Sequence, residues 1–319
     1  MNTTEARPDK AFDLVVVGEL NADLILHGEV IPEFGQVEKL LDDATLTLGS
    51  SSAIFACGAA RLGLRVAFIG KTGDDEFGKF VRRELETRGV DTRGIVVDPE
   101  IKTGLSVILS QGSDRAILTY LGSIAALRYA EIDQQLLRQA RHLHLGSYFL
   151  LDALRPDIPS LFEVAHSLGL TISLDTNYDP SEKWEGGLAE TLRQTDLFLP
   201  NETELQAIAR AAGVVDASLA LDFIATRVPL VAVKLGSRGA VARRGEEVIH
   251  VESFPVTVVD TTGAGDTFDT GFIYGYLSGW ELARTLRLAC VCGSLSTQGV
   301  GGTAAQPTFS EALNALSQL

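Results

Sequence analysis

The chain has 319 residues, 45% of them hydrophobic and 22% charged, with three cysteines and a formal net charge of −15. This is the composition of a soluble globular protein, long enough for one large α/β unit with an appendage. The acidic balance, with a pI of about 4.8, argues against nucleic acid or an anionic membrane as a partner, and no apolar run nears the ~20 residues that span a bilayer.

The first ten residues, "MNTTEARPDK", have no signal-peptide apolar core and read as a loose tail. "DLVVVGEL" is the first buried-strand run. Residues 24–47 read as strands and turns without a clear helix. "SSAIFACGAARLG" is a helix closed by Gly63, "RVAFIG" a strand, and "DDEFGKFVRRELETRG" a helix closed by Gly89. Residues 102–121 alternate like a hairpin around the turn "GSD". Four more strand runs follow, "HLHLGS", "LTISLDTN", "DLFLPN" and "LVAVKLGSRG". They are interleaved with helical patterns in "RPDIPSLFEVAHSLG", "NETELQAIARAAG" and "DASLALDFIATR". A strand-like "SFPVTVV" then leads through "DTTGAGDTF" into an apolar helix, "DTGFIYGYL". The last helix runs into a Gly-rich loop that could pack beside residues 260–268.

Short continuous Val/Leu/Ile runs suit strands buried on both faces. Their alternation with helices predicts an α/β fold, a mostly parallel central sheet with helices on both sides. Residues 11–23, 48–101 and 122–319 would form this core. Residues 24–47 and 102–121 would pair as a small separate β-sheet, serving as a lid over substrate or as a subunit contact. In such sheets ligands bind beyond the carboxyl ends of the strands. Asn21 and Asp23, Asp175 and Asn177, Asn201 and Glu204, and the 260–268 loop all lie there.

Cys57, Cys290 and Cys292 read as buried small apolar residues in a reducing, cytoplasmic protein. His142 and His144 share one strand face, but no Cys or Glu pattern accompanies them to make a zinc site.

The stretch "DTTGAGDTF", Asp260 to Phe268, carries the chemistry. Free N–H groups and the dipole make a helix start an anion site, and Gly263, Ala264 and Gly265 leave those donors uncovered. A branched side chain at Gly265 would crowd them, and a positive φ there would add strain. Asp266 is either a helix cap or a base placed to take a proton from a hydroxyl attacking a bound phosphate.

Together these residues resemble the ribokinase-like (phosphofructokinase-B-type) carbohydrate kinases. The resemblance runs from "VVVGELNADLIL" to "STQGVGGT" and includes "LGSSSAIFACGAARLG", "PNETE" (Asn201, Glu204) and "VKLGSRGA" (Lys234, Gly236, Gly239). It implies a three-layer α/β/α fold with a β lid. It also implies an ATP-dependent transfer to a primary hydroxyl of a small sugar, with Asp266 as base and Gly263–Gly265 as anion hole. Asn201, Glu204, Lys234, Gly236 and Gly239 would serve the nucleotide, Glu204 ordering Mg²⁺ through water. Asp260 and Thr262, with the 299–303 loop, would hold K⁺. Asn21, Asp23, Gly49 and Ser50 would hold the sugar, and the lid would pair two subunits. Three positions depart from the family pattern. Ser50 stands for a Gly, Ile54 for an Asn, and Cys290 for an Asn or His near the adenine. A nucleoside kinase, whose lid would need aromatics such as Phe34 and Tyr120, and a non-catalytic binding module are the alternatives.

Overall fold

The computed structural model describes residues 10–111 and 114–318. The expected tail therefore lies, but for Lys10, outside the described residues, as do Gly112 and Ser113 of the expected hairpin turn. In chain order the elements are β1 (Phe12–Val17), β2 (Asn21–Gly28), β3 (Leu41–Leu48), α1 (Ser51–Arg61), β4 (Val66–Gly73), α2 (Glu76–Thr87), β5 (Asp91–Asp98), β6 (Gly104–Gln111) and β7 (Asp114–Tyr120). There follow α3 (Gln134–Arg138), β8 (Ala140–Leu145), α4 (Ile158–Ser167), β9 (Thr171–Leu174), α5 (Leu188–Arg193), β10 (Leu197–Phe198), α6 (Glu202–Ala211), α7 (Ala220–Ala225) and β11 (Leu230–Lys234). The chain ends with β12 (Ala240–Arg244), β13 (Glu247–Val251), α8 (Ala264–Leu277), α9 (Leu282–Ser296) and α10 (Phe309–Leu316).

The large sheet has the order β13-β12-β11-β10-β9-β8-β1-β4-β5. It is parallel from β5 to β11 and closes with the antiparallel pairs β11/β12 and β12/β13. Strand β1 shows why this sheet needs two helical layers. Leu14 and Val16 point into a core shared with Phe55, Val81, Phe272 and Leu286 of α1, α2, α8 and α9. Val15 and Val17 point into the opposite core with Leu136, Phe162, Ile208 and Ile224 of α3, α4, α6 and α7. Side chains of period two, apolar on both faces, require a cover on each side. Gly63 and Gly89 end α1 and α2 with φ of 97° and 82°, as their positions in the sequence suggest.

The small sheet has the order β3-β2-β6-β7, with β2 and β6 parallel and the outer pairs antiparallel. It already begins at Asn21. Register sorts its two faces. Asp23, Ser106 and Thr119 are cross-strand partners and form a polar row, and Ile25, Ile108 and Ile117 form an apolar row beside it. On the other face Leu46, Leu24, Val107 and Leu118 align, with Leu46 and Leu118 largely exposed.

Two expectations change. Residues 253–259 are not a strand; they run as an open loop held at its end by Val259 N–H to Thr297 O, 2.8 Å. Pro255 brings no N–H to a ladder, and the apolar side chains line a cleft instead. Unforeseen were β5, β12, β13, α3, α5 and α10. The C-terminal loop does pack on the 260–268 loop, through Gly301 N–H to Asp260 Oδ2 at 2.8 Å. Gln306 then buckles α1 to α8, its Nε2 donating to Ile54 O at 2.8 Å and to Thr267 Oγ1 at 3.2 Å. No helix among the described residues is long and apolar enough to cross a membrane.

Candidate active site

Two cavities meet at the start of α8. The larger, about 970 Å³, is bounded by the small sheet and the strand ends. The smaller, about 400 Å³, lies between the 253–258 loop and α9. Lys234, Gly236 and Gly265 line both.

At the junction Gly263 is the N-cap of α8, with φ of 73° and no capping side chain. A Cβ there would lie 2.7 Å from Gly302 Cα and 2.9 Å from Ile54 Cγ2, so glycine is required on both counts. The strain expected at Gly265 belongs to Gly263 instead. Gly265 does not take a left-handed φ, and a Cβ there would meet Lys234 at an ordinary 3.6 Å. Its N–H and that of Asp266 have no acceptor among the described residues. The turn thus presents open N–H donors, which could receive an anion.

Asp266 is in the first turn of α8 and is not its cap. It faces the larger cavity. Burial, then the charges of Asp175 and Glu19, push its carboxyl up to about 8, while Lys234 and a hydrogen bond from Ser51 oppose the shift. Lys234, at the end of β11, is mostly buried and held fully charged by the carboxylates around it. Its Nζ binds Asp175 Oδ2 at 2.8 Å and the two Asp269 oxygens at 3.1 and 3.2 Å. Burial works against ionisation of Asp175, but Lys234 and three donated hydrogen bonds outweigh it and bring the group to about 2. Asp269 is pushed well up, by burial first.

Asn201 and Glu204 form a capping box on α6. The Glu204 oxygens accept from Asn201 N at 2.8 Å and Nδ2 at 2.6 Å, and Asn201 Oδ1 accepts from Glu204 N at 2.9 Å. Both residues also line the larger cavity. Burial and the nearby Asp175 charge raise Glu204 to about 7. A buried carboxylate beside a second one, open to a cavity, fits a hydrated divalent cation. Asp260 and Thr262 come together with the 299–303 loop as expected. Asp260 Oδ1 accepts from Thr262 N at 2.9 Å and Oγ1 at 2.8 Å, and Oδ2 from Gly301 N. Arg115 of β7 adds a guanidinium 4.0 Å from Oδ1. Three hydrogen bonds to the carboxylate and the guanidinium beside it compete with a resident K⁺ for these oxygens, and the fit to that ion is poor.

Asn21 and Asp23 line the larger cavity, Asn21 Nδ2 donating to Asp23 Oδ1 at 2.7 Å and to Ser106 Oγ at 3.3 Å. Burial raises Asp23 to about 6. Gly49 does not line the cavity; a Cβ on it would strike Asp23 Oδ1, so its role is to let that side chain lie flat. The Ser50 hydroxyl caps α1 by accepting from Ala53 N at 3.0 Å and donates to Glu19 O at 2.6 Å. It is therefore already committed to the backbone. Ile54 packs under the anion turn against Gly263 and Gly302, and Cys290 forms part of the smaller cavity's apolar wall with Phe254, Val256 and Phe268. Gly236 and Gly239 turn the chain beside that wall, with φ of 60° and 86°. His142 and His144 hydrogen-bond Thr171 and Ser173, and burial pushes both down to about 3. All three cysteines are buried and unpaired.

A model of the pfkB family carbohydrate kinases matches residues 11–308. The chain belongs to the pfkB family of carbohydrate kinases. Among curated relatives, this kinase is 32% identical over 295 residues to the ATP-dependent ribose-1-phosphate kinase of Halopiger xanaduensis, across 91% of this chain and 93% of that one. Among solved structures, Arabidopsis thaliana ribokinase complexed with ribose and ATP is 27% identical. It covers 96% of this chain and 99% of its own, with a TM-score of 0.82. An E. coli protein described as a candidate ribokinase II, in complex with ATP and Mg²⁺, is 25% identical over 97% and 100% of the two chains, with a TM-score of 0.84. The fold is thus ribokinase-like, a large mostly parallel sheet with a small second sheet.

Sequence reading missed Glu19, Ser51, Arg115 and Asp269. Asp269 was accessible in principle, since it lies three residues after Asp266 and so on the same helix face. Glu19 directly follows the glycine that ends the β1 run, where strand ends carry function. Arg115 reaches the site only through tertiary pairing.

Proposed function

We propose that this carbohydrate kinase transfers the γ-phosphoryl group of ATP to a primary hydroxyl of a small sugar. One observation carries the reading: a cavity lined by Asn21, Asp23 and Asp266 and a second, apolar cleft lined by Phe254, Val256 and Cys290 meet at the same uncovered turn of backbone donors. The sugar would lie under the small sheet against Asp23 and Asn21, and the base of the nucleotide along Phe254, Val256 and Cys290. Asp266 takes the proton of the attacking hydroxyl. The sugar oxygen bonds to the γ-phosphorus as the bond from that phosphorus to the β–γ bridging oxygen breaks, and ADP leaves. The free N–H groups of Gly265 and Asp266 meet the charge on the transferred group, a role best performed by preorganised donors. Bound through water near Glu204, Mg²⁺ would offset charge on the ATP phosphates. The small sheet serves as a lid and, through the row from Leu46 to Leu118, as the contact of a homodimer in the cytoplasm. Phe34 and Tyr120 do not line the cavity; Tyr178 does. Its lid wall mixes the polar row of Asp23, Ser106 and Thr119 with Ile108 and Ile117 and presents no aromatic ring, which favours a sugar over a nucleobase.

ADP release measured with Mg-ATP and ribose, fructose, ribose 1-phosphate or adenosine tests this. Turnover with at least one of the sugars, and less with adenosine, is expected. Only background hydrolysis with every sugar would overturn the reading.

A further inference from the structure

Leu20 and Ala22 are fully buried in the apolar core, while their neighbours Glu19, Asn21 and Asp23 line the larger cavity. The alternation is that of extended chain, with period two. Glu19, in the link from β1 to β2, is fixed by the first turn of α1. Its carbonyl accepts from Ser50 Oγ at 2.6 Å, its Oε1 accepts from Ser52 N at 3.2 Å, and its Oε2 accepts from the Ser52 hydroxyl. Two glycines make room for that hydroxyl. A Cβ at Gly18, after β1, would stand 2.0 Å from Ser52 Oγ, and one at Gly146, after β8, would stand 2.4 Å from it. Two strand ends thus give up a side chain so that Ser52 can reach the Glu19 carboxyl.

Helix capping does not account for this arrangement. The N-cap of α1 is Ser50, whose hydroxyl already accepts from Ala53 N at 3.0 Å. Nor is Glu19, only 3% exposed, one half of a buried ion pair. The two cations that line the cavity are bound to other groups, Lys234 to Asp175 and Asp269, and Arg115 to Thr262 and Asp260, and no ion pair among the described residues includes Glu19. Burying a carboxyl without a cation costs stability that a neutral side chain would not. A carboxylate has about four acceptor positions. Ser52 takes one on each oxygen, and acceptor capacity remains for a donor in the cavity. We propose that Glu19 is a specificity-determining residue of the sugar site, accepting a hydrogen bond from a hydroxyl other than the one held by Asp23, with Ser50 and Ser52 positioning it. The proposal rests on the larger cavity being the sugar site. Two carboxyls on one wall accept from hydroxyls and repel a phosphate, so the sugar turns free hydroxyls toward them.

The test is calorimetric binding of ribose and fructose, with Mg²⁺ and a non-hydrolysable ATP analogue present, followed by the monodeoxy analogues of whichever sugar binds more tightly. Glu19→Gln is nearly isosteric and its amide can keep both contacts to Ser52, so its melting temperature should stay within about 3 °C of wild type. Its affinity for the parent sugar should fall about tenfold, the low end for a hydrogen bond to a charged group, and its ATP affinity should not change. In the wild type one monodeoxy analogue should bind about tenfold more weakly than the parent sugar. Glu19→Gln should lose that preference and Asp23→Ala should keep it. If Glu19→Gln does not fold, Glu19→Asp decides: one carbon shorter, it cannot reach Ser52 and a sugar hydroxyl together and should lose the same preference. Unchanged sugar affinity in the folded variant, or a loss shared equally by the parent and every analogue with a fall in melting temperature, would overturn the proposal. So would a wild-type protein that binds none of these sugars. A protein that binds them through Glu19 but transfers no phosphoryl group to them would sink the proposed reaction and leave this assignment standing.

Discussion

Arg115 Nη1 on β7 donates to Thr262 Oγ1 beside the anion turn at 2.7 Å, joining residues 147 apart in sequence. Asp260, within reach of the same guanidinium, lies below the usual carboxylate range. Burial opposes this, but N–H donation from Gly301 and Thr262 and the Arg115 charge prevail. A cation carried by the small sheet therefore stands where a free ion was expected. The rate with the best sugar should change less than about twofold when KCl replaces tetramethylammonium chloride. Arg115→Ala should lower it about tenfold, the low end for a charged hydrogen bond at a half-exposed site, and should make it respond to KCl. A wild-type enzyme that is inert without K⁺ would refute this assignment.

Asp266→Asn keeps the shape of the side chain but removes its basicity. A kcat loss of roughly 10²–10⁴-fold is expected of a general base, with ATP affinity by calorimetry little changed. Near-wild-type turnover would exclude Asp266 as the base.

The raised carboxyl groups contribute to stability with a pH dependence opposite to that of paired surface acids. Asp266, Glu204 and Asp23 reach about 8, 7 and 6 in the folded chain. Each is above its unfolded value, so these three groups bind more protons in the native state between pH 4 and 8, while His142 and His144, pushed down to about 3, act in the opposite sense below about pH 6.5. The carboxyl contribution is complete below about pH 4 and is lost as pH rises through 6, 7 and 8. Asp175, depressed to about 2, adds nothing to the slope in that window. The melting temperature of Asp266→Asn relative to wild type should therefore climb from pH 5 to pH 8.5. A gain of about 2–4 °C at the upper end corresponds to roughly 1 kcal/mol. A difference that stays flat with pH would contradict the assignment.

Lys234 holds two buried carboxylates. Lys234→Met should cost about 3–5 kcal/mol in urea unfolding, because it strands a buried negative charge. Adding Asp269→Asn should recover part of that loss. Additive losses in the double variant would show that the two groups are not coupled.

Asp23→Ala should raise KM for the sugar by roughly 10- to 150-fold, the range for a charged hydrogen bond, and leave KM for ATP nearly unchanged. Equal changes in both, with a lowered melting temperature, would make Asp23 a structural residue of β2.

The parallel core was legible because β1, β4, β8, β9, β10 and β11 are continuous apolar runs between glycines and helices, a pattern set by burial on both faces. β5 and the β12/β13 hairpin escaped notice because they sit at the two edges of the sheet, where "DTRGIVVD" and "AVARRGEEVIHV" carry charges that look like loop. "SFPVTVV" misled in the other direction, since its apolar residues line a cleft that a sequence does not display. The anion turn was readable because its parts are contiguous. The contact of Asn177 with Ser51 and Ser147 was not, because three separate strand ends bring these side chains together.

The Gln306 buckle has a consequence for how the protein is made. Its partner Ile54 precedes it by 252 residues. At about 5–20 residues per second of synthesis, α1 waits roughly 10–50 s for the residue that ties it to α8. During that interval the apolar side of α1, with Phe55 and Ala56, has no C-terminal helices to cover it. The growing chain can assemble its N-terminal strands early, but the site itself comes into being among the last events of translation. A ribosome stalled shortly before Gln306 would hold a largely folded protein with no assembled site.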